Sequence, residues 1–161
     1  MLAGPAFALR AVKTAALDLG QFLPYRLSVL ANKVSRQLAA VYAARFGITI
    51  PQWRVVAVLG QDSDVSADFV CGRTEMDRVT VSRAVAALQE QGLVLRRTSP
   101  EDRRCSMLRL SAAGRRLYAD VVPLARAYEA ELLCGLAPAD RAALDRVLAA
   151  LQARVDAGSG G

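Results

Sequence analysis

The residues with the clearest capacity for chemistry are arginines. Between positions 96 and 116 the sequence places Arg96, Arg97, Arg103, Arg104, Arg109, Arg115 and Arg116 against only Glu101 and Asp102, so seven cations over two anions leave +5 in 21 residues. Guanidinium groups present a planar fork of donors that matches phosphate oxygens and guanine edges, and such an Arg-only excess points to a polyanion. Charge alone is equally consistent with a solvated face. A second group, Arg78, Thr80, Ser82 and Arg83, gathers hydrogen-bond donors within one short stretch. Acid–base and nucleophilic chemistry has little to work with. The chain contains no His, which removes Ser-His-Asp and Cys-His activation and most catalytic zinc sites. Cys71, Cys105 and Cys134 fit neither a CxxC pair nor a zinc ribbon, and their odd number suggests a reducing cytoplasm. Glu129 and Glu131 lie two apart on a helix and diverge, so they do not form a carboxylate pair. No catalytic residue, metal ligand or cofactor is expected.

Length and charge set the frame for these groups. The 161 residues carry 21 Lys+Arg and 15 Asp+Glu, a net +6, and 53% of them are hydrophobic. That is enough for one compact domain with an accessory helical segment, and too apolar for a disordered tail. The charge is uneven: residues 73–95 are neutral, whereas 1–45 and 96–116 each carry +5, the latter in only 21 residues and from arginine alone. No charge-free stretch exceeds Met1–Leu9, far short of the roughly 20 apolar residues of a membrane span. The first charges follow the apolar residues, the reverse of a secretory leader.

The hydrophobic pattern supplies the elements that would position the arginines. Leu27, Leu30, Val34, Leu38 and Val41 recur at steps of three and four, predicting a helix from Pro24 to about Arg45, with Gly47 as the stop. Thr49 offers an N-cap and Pro51 a first-turn residue for a helix carrying Trp53, Val55, Val56, Val58 and Leu59, apolar on nearly every side. A polar loop, 61–66, then leads to a short helix, Ala67–Arg73, capped by Ser66 and predicted to bury Phe69 and Val70. After a turn at 74–76, Asp77 caps a helix with Val81, Val85 and Leu88 on one face, Arg78, Ser82 and Arg83 away from it, and Gly92 as terminator. Leu93–Thr98 and Arg104–Leu110 read as two strands joined by Ser99-Pro100-Glu101-Asp102-Arg103, a β-hairpin with a basic tip. Ser111 caps a long helix, kinked or loosened at Pro123 and ended by Gly135, and Pro138 opens a last helix that frays into Gly-Ser-Gly-Gly. The predicted class is mainly α with a small β-hairpin.

A short helix, a tight turn, a second helix with a polar free face and an Arg-tipped hairpin together describe a winged helix-turn-helix. The second helix fits the major groove of double-stranded DNA, and the thin wing can lay an Arg into the minor groove beside it. Val79-Thr80-Val81-Ser82-Arg83-Ala84-Val85, Gly92-Leu93-Val94, Ser99-Pro100-Glu101-Asp102-Arg103-Arg104 and Leu108-Arg109-Leu110-Ser111-Ala112-Ala113-Gly114 resemble the MarR-type (multiple antibiotic resistance) transcriptional regulators, and the resemblance extends over nearly the whole chain. It implies a winged helix-turn-helix lobe at 49–111, flanked by an N-terminal arm and long helix at 1–48 and by C-terminal helices at 112–161 that make a homodimerisation lobe. Ser111 stands where Thr is commoner, and Ala137 where Ser or Thr often caps the last helix. By position, Arg78, Thr80, Ser82 and Arg83 fall on the recognition helix, Arg103 and Arg104 on the wing tip, and Asp102 becomes the acid that orients a wing arginine.

The resemblance further implies a cleft for a small aromatic or phenolic effector, with Tyr25 and Trp53 as candidate lining; residue chemistry alone places Trp53 in the core. The implied function is a cytoplasmic, dimeric, ligand-responsive repressor on a pseudo-palindromic operator, its two recognition helices about 34 Å apart. A homodimer also follows from terminal helices rich in Ala, Leu and Val, more apolar than one short lobe can cover. The competing reading is a basic helical module that binds membranes or proteins without sequence-specific DNA binding. Cys71 reads as a small buried hydrophobe, and Cys105, among arginines, as the better candidate for oxidation. Arg10 and Lys13, with Phe7, Leu9 and Leu17, suggest an amphipathic N-terminal helix.

Overall fold

The computed structural model describes residues 16–98 and 106–159. Asp102, Arg103, Arg104, Cys105 and the N-terminal segment with Arg10 and Lys13 lie outside the described residues. The elements follow as α1 (Leu23–Phe46), α2 (Ile50–Gln61), β1 (Val65–Ser66), α3 (Ala67–Thr74), α4 (Arg78–Glu90), β2 (Val94–Thr98), β3 (Ser106–Leu110), α5 (Ala112–Leu132) and α6 (Pro138–Ser159). The helices fall where their periodicity predicts, with one difference at the end: α6 continues through Gly158 to Ser159.

Local capping fixes the boundaries. Thr49 and Gln52 form a reciprocal box in which Gln52 N donates to Thr49 Oγ1 at 3.4 Å and Thr49 N donates to Gln52 Oε1 at 2.7 Å. This satisfies Gln52, the one polar residue buried with the core among the described residues. Ser66 Oγ accepts from Phe69 N at 3.1 Å to start α3. Gly92 takes a left-handed φ of +68° just past α4, where a side chain would be strained. Pro123 lies inside α5, which is unbroken as a helix across it.

The sheet departs from the predicted hairpin. It has three antiparallel strands in the order β1-β3-β2, because Val65 pairs with Leu108 and Ser66 with Met107, while β2 and β3 run from Val94↔Leu110 to Thr98↔Ser106. The segment predicted as a polar loop therefore ends in a two-residue strand. Val65 is half-buried against the core, and pairing satisfies backbone groups that a packed loop would leave unmet.

The described residues divide into two compact units, one of residues 16–26 and 129–159 and the other of residues 27–98 and 106–128. All the buried core residues belong to the second. Val55, Val56 and Leu59 of α2, Val70 of α3, Val81, Val85 and Leu88 of α4, and Leu108 and Leu110 of β3 form one cluster. Tyr42, Ile48 and Val121 form another, and burial pushes the Tyr42 phenol above its ordinary range against the opposing pull of Arg54. Phe69 does not join this core: it is 40% exposed, one residue from a fully buried Val70, since an eight-residue helix can turn only one narrow face inward.

The first unit has a different character. Leu19, Phe22, Leu23 and Tyr25, then Leu132, Leu136, Leu144, Val147 and Leu148, are all between 40% and 55% exposed. None of the described residues of this unit is buried, and such open apolar surface is more than scattered single exposed hydrophobics.

Candidate nucleic-acid interface

The helix-turn-helix is assembled from α3, a three-residue turn and α4. Glu75 adopts a left-handed φ of 54°, which reverses the chain in little space, while Thr74 Oγ1 donates to Val70 O at 2.7 Å. Asp77 then caps α4: Thr80 N donates to its Oδ1 at 2.8 Å and Thr80 Oγ1 to its Oδ2 at 2.6 Å. These bonds, led by the Thr80 hydroxyl, hold the Asp77 carboxyl below its usual range. The helix is thus pinned by its cap at one end and by Val81, Ala84, Val85 and Leu88 along its inner face.

What remains outside is a polar face. Arg78, Val79, Ser82, Arg83 and Ala86 are exposed. Of the predicted donors, Ser82 and Arg83 stand in solvent on this face. Arg78 joins them but also approaches Asp68 of α3, with Nε 3.2 Å from Oδ1. Both side chains are largely exposed, so the pair is weakly held and Arg78 stays available. Thr80 is half-buried, and its hydroxyl is committed to Asp77, so its part in the site is to shape the helix start. Val79, 57% exposed, is a member of this face that its residue type hid, because an apolar residue reads as core unless the helical angle places it.

The sheet follows α4 directly. Ser111 ties the two together: its Oγ donates to Gly92 O at 2.7 Å and accepts from Gly114 N at 3.0 Å, and its N donates to Leu93 O at 2.9 Å. Gly114 is needed at this junction, because a Cβ there would overlap the Leu93 carbonyl. On β2, Arg97 Nη2 lies 2.8 Å from Asp64 Oδ1 as an ion contact without hydrogen-bond alignment. Arg73 reaches Gln61 Oε1 at 3.3 Å and Asp62 at 4.0 Å. The acidic residues of the 61–64 segment therefore offset two of the cations beside the site.

Trp53 packs where its residue chemistry places it, against the core. It is half-buried between the two core clusters, with its ring 5.7 Å from Tyr42 and stacked 6.2 Å from Tyr118. It also lines a cleft of about 320 Å³ with Arg54, Ala57, Val58, Arg73 and Thr74. Tyr25 belongs to the other unit and is 47% exposed. Among the described residues, no group of three or more Cys, Asp or Glu is gathered as a metal site, and no helix is long and apolar enough to cross a membrane.

Comparison with known proteins agrees with this geometry. Residues 46–104 match the model of the MarR family. The HTH-type transcriptional regulator YdgJ of Bacillus subtilis (strain 168) is 24% identical over 123 residues, 76% of this chain and 75% of that protein. The crystal structure of a MarR/EmrR family transcriptional regulator from Acinetobacter sp. ADP1 is 28% identical and superposes with a TM-score of 0.80 over 87% of this chain and 99% of that one. The transcriptional repressor CouR bound to a 23-mer DNA duplex is 25% identical, with a TM-score of 0.74 over 88% of this chain and 99% of the other. The fold is shared as well by CouR from Rhodococcus jostii RHA1 bound to p-coumaroyl-CoA, at 20% identity, 84% and 95% coverage and a TM-score of 0.72. A capped helix-turn-helix, a three-stranded wing sheet and these likenesses converge: residues 46–104 match the MarR family, and the described fold is that of MarR-family winged helix-turn-helix transcriptional regulators.

Proposed function

We propose that the protein is a homodimeric, ligand-responsive repressor that binds a pseudo-palindromic operator. In this reading Arg78, Ser82 and Arg83 of α4 reach base edges and phosphates in the major groove, and Thr80 sets the start of that helix. Arg103 and Arg104 at the wing tip enter the minor groove, with Asp102 orienting one of them. The observation that carries the reading is the outer face of α4: exposed donors on a rigidly capped helix, backed by a buried apolar face and followed by antiparallel strands. The DNA duplex bound by CouR supports the DNA partner. Open apolar surface on residues 19–25 and 132–148 supports a second copy of the chain as the other partner.

For the effector, the cleft beside α2 is lined by Trp53 together with Arg54 and Arg73. That combination suits a small aromatic or phenolic acid, whose ring stacks and whose carboxylate meets a cation. The phenolic acyl group of the p-coumaroyl-CoA bound by CouR supports the aromatic part of that class.

The test is binding of the full chain to operator fragments selected from random duplex DNA. Arg83→Ala should weaken binding by about 1–3 kcal/mol and relax preference at one position per half-site, whereas Arg104→Ala should weaken all sequences alike and lower the salt slope by about one. If neither substitution changes affinity at physiological salt, the site is assigned wrongly.

A further inference from the structure

Val79 is left unexplained by phosphate or guanine recognition. A single exposed valine is ordinary on a protein surface. This one sits on the second residue of α4 at 57% exposure, while the other valines of that helix, Val81 and Val85, are buried to 1% or less. It shares its face with Arg78, Ser82, Arg83 and Ala86. The N-terminal residues of a recognition helix are the ones that approach base edges, and the only apolar group on a major-groove edge is the C5-methyl of thymine.

We infer that Val79 is a specificity-determining residue that packs on a thymine C5-methyl in each half-site. The inference rests on the DNA-binding reading of α4. A β-branched side chain in a helix has essentially one rotamer, so its methyls are oriented before contact and little side-chain freedom is lost on binding. The backbone beneath is held by the bonds from Thr80 to Asp77 on one side and by buried Val81 on the other. Val79 and Arg83 are four residues apart, a rise of about 6 Å along the helix, or between one and two base steps of about 3.4 Å. The thymine read by Val79 therefore lies within two base pairs of the base read by Arg83.

The experiment remakes a duplex selected by the full-length protein with deoxyuridine in place of thymidine, one position at a time, which deletes only the methyl group. One position per half-site, within two base pairs of the position that Arg83→Ala relaxes, should weaken wild-type binding about fourfold, the worth of one buried methyl-sized group. Val79→Ala should bind the thymine and uracil duplexes alike, and Val79→Thr, which keeps the shape with one methyl fewer, should discriminate less than wild type. The inference is overturned if no uracil position weakens wild-type binding, or if Val79→Ala keeps the wild-type discrimination. Failure to enrich any duplex would instead overturn the DNA-binding reading itself, and this inference with it.

Discussion

Ser111 ties the end of α4, at Gly92, to the start of α5, at Gly114, through one hydroxyl, and replacing it gives a quantitative test of that joint. Ser111→Ala removes the bond to Gly92 O and the acceptor for Gly114 N, leaving only the backbone bond from Ser111 N to Leu93 O. Loss of an N-cap hydroxyl costs about 1 kcal/mol, within a range of about 0.5–2, and a typical second hydrogen bond adds about 0.5–1.5. Gly92 is exposed and Ser111 half-buried, so water recovers part of the loss, and the net destabilisation should be about 1–2 kcal/mol. For a chain of this size that lowers the melting midpoint by about 3–6 °C. Thermal unfolding of wild type, Ser111→Ala and Ser111→Thr at one protein concentration checks it, the fixed concentration removing the mass-action contribution of the proposed dimer. Ser111→Thr keeps the hydroxyl and should stay close to wild type. The reasoning is refuted if Ser111→Ala melts with wild type, or if Ser111→Thr loses as much as Ser111→Ala.

Other consequences are as direct. Asp77→Ala should be less stable than wild type at neutral pH, and the gap should close under acid: a carboxyl held below its usual range stabilises above the unfolded pKa and loses that contribution as the pH falls through the folded one. A gap that persists once carboxylates are protonated contradicts the capping account. Leu148→Asp, on the open face of α6, should convert dimers to monomers in sedimentation while leaving the winged-helix core folded; unchanged mass would remove α6 from the interface. Because Trp53 is the protein's single tryptophan, an aromatic acid entering its cleft should quench intrinsic fluorescence and Arg54→Ala should weaken that response. Binding of the acid with no change in emission would place the effector elsewhere.

The helices and their caps were legible because the information is local. As caps, Thr49, Ser66, Asp77 and Ser111 each accept from a backbone N–H three residues on, and the stripe from Val81 to Leu88 needs only the helical period. Features that depend on distant partners were not. Val65 and Ser66 become a strand only because β3 lies alongside, more than 40 residues later. Likewise, the contacts of Arg78 with Asp68 and Arg97 with Asp64 join elements whose proximity is set by the fold. The pattern of α3 predicts both Phe69 and Val70 buried, yet a helix of eight residues turns only Val70 fully inward. At the candidate interface the donors could be named from sequence, whereas the division of labour among them could not: Thr80 turns to Asp77, Ser82 and Arg83 to solvent, and Val79 outward with them.

The central claim is that α4 and the wing form a sequence-specific DNA-binding surface presented twice by a dimer. The measurement that bears on it most directly is the affinity of the full chain for its selected inverted repeat against a scrambled duplex of the same composition, followed across a salt series. One dimer should bind per repeat, with affinity for the repeat higher by a factor of about 10³ or more and a steep linear fall of log affinity with log salt. Equal affinity for the two duplexes, or a preference independent of the spacing between half-sites, would contradict it.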